Sequence, residues 1–375
     1  MWNWKRMVGA IKDKNSLWIT SMSRRSVYCN PDLEAAIIKA TSHDETRIDY
    51  KNAQRVYAWI RTSPAFNLKP LIWSLSYRMD RTRSWVVAIK GLMLLHGVFC
   101  CKIPILEMIG RLPFDLSNFR DLHSSANKTW GYDAFVRAYF TFLDQKSMLL
   151  CANEDPKGRM ILREECKDRP IMGDIQILLK SLALLDSLLQ IRPQMECMKR
   201  ACLIREAMDC VIIEIFDAYS KVCSCIAGVL SKIYMATHAE ASMALSLLRR
   251  ANVQGDELSK YFELCWSIGV LNVSEFVKVE RIPEEDIQEV ERVVIEITSD
   301  HKSQEMGKAI VPMAEKVIMP AAQSMALMTV ITDKWEVFED VRTFDIRTNP
   351  FETTVNHPTY NGNYIKQEIP DLICF

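Results

Sequence analysis

Between Pro31 and about Asn272, apolar residues recur at three- and four-residue intervals in segment after segment. This periodicity constrains the fold more than any other feature, because it places one apolar stripe on each of many consecutive helices. Leu71 to Met79, Trp85 to Cys101, Ala134 to Leu149 and Ile175 to Leu189 each carry it. Met195 to Ile233 has room for two helices or one extended one, and His238 to Leu248 and Leu258 to Ile268 follow. Pro64, Pro104, Pro113, Pro170 and Pro193 punctuate the joints, where a ring without an N–H ends one helix or starts the next. No stretch alternates as a strand would. Glycine is scarce, with 12 in 375 residues, which further favours helix over sheet.

Helices on short connections predict an all-α fold, a right-handed superhelical solenoid of stacked antiparallel helices. No fixed sequence period is visible, which disfavours the regular repeat families. Glu284 to Ile297 reads as a last helix, charged on one side, with Ile287, Val290, Val293, Val294 and Ile297 on the other. Beyond about residue 300 the periodicity fades into a largely irregular C-terminal tail, apart from a candidate helix through Ala309 to Met328. The expected organisation is a basic amphipathic segment over 1–25, a solenoid over 26–298 and a tail over 299–375.

Charge is balanced, 47 Lys and Arg against 47 Asp and Glu, which argues against a wholesale nucleic-acid binder but leaves room for local patches. The basic excess gathers at the start. Lys5, Arg6, Lys12, Lys14, Arg24 and Arg25 face only Asp13 within residues 1–25, and Trp4, Met7, Val8 and Ile11 follow helical spacing. Such a helix either lies in a lipid interface, with Trp2 and Trp4 at headgroup level, or docks its stripe on the core. The N-terminus has no signal-peptide apolar region, and no apolar run is long enough to cross a bilayer. Any membrane contact is therefore expected from the cytosolic side.

The 12 cysteines show neither a disulfide framework nor metal spacing. Cys210, Cys223 and Cys265 sit in apolar helical runs and read as small core hydrophobes. His96 lies in an apolar helix and reads as a satisfied core group. There is no His-Glu-x-x-His, glycine-rich phosphate loop or nucleophile elbow, so no catalytic constellation, cofactor or metal site is expected.

One joint stands out. Leu33, Ala36, Ile37 and Ala40 form a periodic run opened by Pro31 and Asp32. The run breaks over Ser42 to Thr46, and Asp49 starts another through Ala53, Val56, Tyr57 and Ile60. Lys39, Arg47, Lys51 and Arg55 flank the break. Bases beside a helix start can hold a phosphate, because free N–H groups and the helix dipole both favour an anion. The same pattern also fits a solvated loop.

Lys39-Ala40-Thr41-Ser42-His43 resembles the Lys-Ala-Thr-x-His signature of ANTH domains, the lipid-binding modules of clathrin-assembly proteins. Ser84 to Lys90 with Leu95-His96 is similar to that family's central helix. Asp115 to Phe119, Phe135 to Tyr139 and Tyr261 to Val270 follow in the family's order and spacing. The resemblance spans roughly residues 1–280 and is strongest to the plant-type proteins. It implies phosphoinositide contacts through Lys39, His43, Arg47 and Lys51. It also implies partners among clathrin, coat adaptors and SNARE-type helices, at the cytosolic face of the plasma membrane, in coated pits and vesicles, and at the Golgi. One departure matters: a family lysine is replaced by Asp49 and a histidine by Asn52. The site is then inherited in weakened form, or it is lost and the chain is a soluble interaction scaffold. In the tail, Asn349-Pro350-Phe351 matches the tripeptide bound by EH domains, a tight turn that projects the Phe.

Overall fold

The computed structural model describes residues 2–22, 30–122, 126–151, 169–193, 202–270 and 279–306. Among them are ten α-helices, two short 3-10 segments and no strand, and the fold is an all-α solenoid. In chain order the helices are α1 (Trp2–Met22), α2 (Pro31–Ala40), α3 (Tyr50–Thr62), α4 (Pro64–Arg81) and α5 (Trp85–Cys100). They continue as α6 (Ala126–Cys151), α7 (Ile171–Leu189), α8 (Cys202–Lys232), α9 (His238–Ser267) and α10 (Glu284–Met306). The candidate helix over Ala309 to Met328 and Asn349-Pro350-Phe351 lie outside the described residues.

The helix boundaries follow local chemistry. Asn30 caps α2, its side chain accepting from the Leu33 N–H, with Pro31 in the first turn and Asp32 and Glu34 close behind. Asp49 caps α3, accepting from the backbone N–H of Asn52 at 3.1 Å and from its side-chain amide at 2.7 Å. Thr237 and Glu240 form a reciprocal capping box at the start of α9. Of the stretch after Met195, the described residues from Cys202 form one helix. Its 31 residues give a rod about 46 Å long.

That length lets α8 serve two cores. The larger joins α2 to α6 with the end of α7, the first half of α8 and the end of α9. The second joins the start of α7, the end of α8, the start of α9 and α10. Val290 and Val293 of α10 are buried in it and Ile287 is buried too, while Glu284 and Glu285 face solvent, as the charge pattern predicts. Asp174 braces the same region. Its fully buried carboxylate accepts from Arg169 at 3.1 Å and from Lys232 at 2.7 Å.

Cysteine placement corrects one expectation. Cys225 and Cys265 are buried and Cys210 is partly so, but Cys223 is exposed. Two residues on a helix point about 200° apart, so Cys223 and Cys225 cannot both face the core.

Candidate membrane-facing site at the first helices

α1 is turned the opposite way from an ordinary amphipathic helix. Gly9 and Thr20 are buried and Asp13 is partly buried. Met7, Ile11 and Trp18 are 56%, 60% and 58% exposed. On a helical wheel these three lie within about 40° of one another, roughly opposite the inward face. The helix therefore docks on small and polar groups and displays its apolar stripe. Trp2 and Trp4 belong to α1, but their side chains lie outside the described residues.

The docking is polar and tight. The Asp13 carboxylate accepts from the His43 backbone N–H at 2.9 Å and lies 2.8 Å from His43 Nδ1. Arg78 of α4 donates to the same carboxylate at 3.0 Å. Arg78 also donates to the Thr41 carbonyl at 2.7 Å, which ties α4 to the end of α2. Burial works against a charged Asp13, but the His43 and Arg78 bonds prevail and hold it below the usual carboxylate range. Gly9 lets α1 come close: a Cβ there would lie 2.7 Å from the His43 Cβ.

The joint between α2 and α3 forms a cleft of about 520 Å3, with Lys39, Arg47 and Lys51 on its walls and Asp13 and Leu17 of α1 along one side. All three bases are exposed. Arg47 pairs with Asp44 at 3.6 Å. His43 is not a wall of this cleft, since its Nδ1 is engaged by Asp13. Asp49 and Asn52, the two departures from the family pattern, are bonded to each other as the α3 cap.

Lys90 of α5 holds this joint from below, a role that sequence reasoning missed. Its ammonium donates to the carbonyls of Asp44 and Arg47, both at 2.7 Å, and to Ser42 Oγ at 3.3 Å. Burial pulls its pKa down to about 8. The available signal was a lysine in the middle of the most apolar helix, where an ammonium persists only if the fold supplies acceptors.

His96 is a satisfied core group, as expected. It contacts Tyr139 OH through Nδ1 at 2.8 Å and Glu214 through Nε2 at 3.2 Å. Cys100 is near enough that His96, Cys100 and Glu214 offer three donor atoms within 4.8 Å of one another. The set does not suit a cation, because the Lys146 ammonium already sits 2.5 Å from the Glu214 carboxylate. Burial also pushes the Cys100 thiol up, away from the thiolate a metal would need.

These features define an α-helical solenoid with a cleft of mixed charge at its first helices, bordered by a helix that shows its apolar side. A model of the ANTH domain family matches residues 32–296, and the chain belongs to that family. "Putative clathrin assembly protein At1g25240" of Arabidopsis thaliana is 45% identical over 99% of each chain. "Putative clathrin assembly protein At1g68110" of the same plant is 43% identical with the same coverage. "Clathrin coat assembly protein AP180", also from that plant, is 26% identical over 85% of this chain and 53% of its own.

Proposed function

We propose that the chain is a clathrin-assembly adaptor that holds the cytosolic face of coated membrane through α1 and the α2–α3 joint. The observation that carries the reading is the outward stripe of Met7, Ile11 and Trp18 on a helix whose inward face is polar. Exposed aliphatic and Trp side chains beside Lys12 and Lys14 suit the headgroup boundary, and Lys39, Arg47 and Lys51 add attraction for phosphoinositide phosphates. His43 acts through Asp13, orienting α1. Family membership and the names of the relatives support the clathrin role. Asn349-Pro350-Phe351 supports EH-domain partners on motif grounds alone. Among the described residues no helix is long and apolar enough to cross a membrane, so attachment by these helices would be peripheral.

A second reading, a soluble scaffold that works through grooves between its helices, is favoured by the charge of the joint. Three bases there face three acids, Asp13, Asp44 and Asp49. Vesicle sedimentation of the full chain separates the two. Vesicles containing phosphatidylinositol 4,5-bisphosphate should pellet the protein. Met7→Ser/Ile11→Ser should weaken pelleting about tenfold, and Lys39→Glu/Lys51→Glu should weaken it with greater effect at low salt. Pelleting that ignores both pairs would transfer the case to the soluble scaffold.

A further inference from the structure

The face of α4 turned away from the core carries a row of aromatic side chains. Phe66, Trp73 and Tyr77 are 83%, 59% and 46% exposed. On the helix they lie within about 40° of one another, opposite the buried Leu71, Leu75 and Met79. We propose that this row is a contact between two copies of the chain, packed antiparallel about a twofold axis at Trp73.

The row is held in place before any partner arrives. Trp73 stacks on Tyr77, with ring centres 5.8 Å apart and planes 17° apart. The Arg81 guanidinium lies 3.9 Å from the centre of the Tyr77 ring on the same face. Rings already fixed by their neighbours lose little side-chain freedom when a second surface closes on them.

Charge selects the partner. Lys69 and Asp80 are exposed and flank Trp73 on one side of the row, while Phe66 and Tyr77 lie on the other. A twofold axis perpendicular to α4 sets each side of one row against the same side of its copy. Centred on Trp73, it places Lys69 of one copy and Asp80 of the other at levels about 4.5 Å apart along the helix, and Phe66 and Tyr77 likewise. Opposite charges then meet on one side and aromatic rings on the other, each twice, with the two Trp73 rings between. A parallel arrangement sets Lys69 against Lys69 and Asp80 against Asp80. A row with a base toward one end and an acid toward the other is complementary to itself reversed.

Size sets the strength. The three rings expose roughly 300–450 Å2 per copy, so the contact falls at the low end of specific interfaces, below about 1,200 Å2 in total. Such a contact is weak in dilute solution and fills as copies are concentrated, which the coat role proposed above would do.

Sedimentation velocity of the full chain over a rising concentration series tests the pairing. The wild-type average mass should climb toward twice that of the monomer. Trp73→Ser should weaken association about thirtyfold, as loss of a central aromatic anchor does. Lys69→Glu and Asp80→Lys should each weaken it about tenfold, because each turns two attractive pairs repulsive. Lys69→Glu/Asp80→Lys should restore it, and so should an equimolar mixture of the two single variants. All these side chains face solvent, so the melting temperature should not change. A chain that stays monomeric throughout, or a dimer indifferent to Trp73→Ser, overturns the proposal. Weakening by Trp73→Ser without rescue by the charge exchange overturns the twofold pairing. If Trp73→Ser reduces vesicle pelleting of a protein that is monomeric at every concentration, the row is a lipid contact and self-association is overturned.

Discussion

Lys90 shows how one side chain can decide the shape of a loop. Residues 41–49 connect two helices, and their carbonyls at Asp44 and Arg47 turn toward Lys90 of α5. The Lys90 ammonium satisfies both, at the cost of its own burial. Lys90→Met keeps the stem but removes this ammonium donor from both carbonyls. Hydrogen exchange of the amides in 42–49 should then quicken roughly thirtyfold, corresponding to about 2 kcal/mol of lost local stability. Unchanged exchange in that loop would show that other contacts hold it. Arg47 and Lys51, carried on this loop and the following turn, should lose orientation in the same variant.

At the scale of the element, α1 is held by close approach and by charge, with its apolar stripe left outside. Gly9 is the point of closest contact. Helix propensity alone says that Gly9→Ala should stabilise α1 by about 0.5–1 kcal/mol, because alanine loses less backbone entropy. The contact with the His43 Cβ says the reverse, since that atom is fixed to the backbone and cannot swing aside. We expect Gly9→Ala to loosen α1, read as faster proteolysis near residues 7–20 and weaker protection of the His43 amide. A more protected α1 would mean that the helix can slide outward at little cost. Asp13→Asn should loosen α1 by the same assays, because it removes the charge shared by His43 and Arg78.

Across the whole molecule, the helices are tied by a few buried charges as well as by the two apolar cores. His96 on α5, Lys146 on α6 and Glu214 on α8 meet in the larger core. Burial alone would raise the Glu214 pKa, but the His96 hydrogen bond and the Lys146 ammonium pull it down to about 2. Burial lowers His96 below its ordinary value, so the folded protein resists its second proton. Both shifts act in the same direction. The unfolded chain takes up protons that the fold refuses, so stability is fully present above about pH 6.5 and declines as pH falls. The Glu214 contribution, on the order of 3 kcal/mol, is present above about pH 4.5 and is lost as pH falls toward 2. Denaturant titrations across this range should show the loss, and Glu214→Gln should flatten the part below about pH 4.5. An identical slope in that variant would place the acid sensitivity elsewhere.

Much of this was legible in the chain. Three- and four-residue spacing fixed the helices because a helix must bury one side, and Leu33, Ile37, Val56 and Ile60 are buried where that rule puts them. Asp49 marked a helix start because its side chain answers a backbone donor only a few residues away. Such local effects can be read from neighbours in sequence. The orientation of α1 could not, since the same stripe of Met7 and Ile11 fits a buried face or an open one. Contacts across 30 and 65 residues, Asp13 with His43 and with Arg78, settled it. Sequence determined which segments are helical, although the helices read from Leu71 and Ala134 begin at Pro64 and Ala126, and the two read over His238 to Leu248 and Leu258 to Ile268 are one. The tertiary structure decided which faces meet, because charge and close packing act through space between residues the chain keeps far apart.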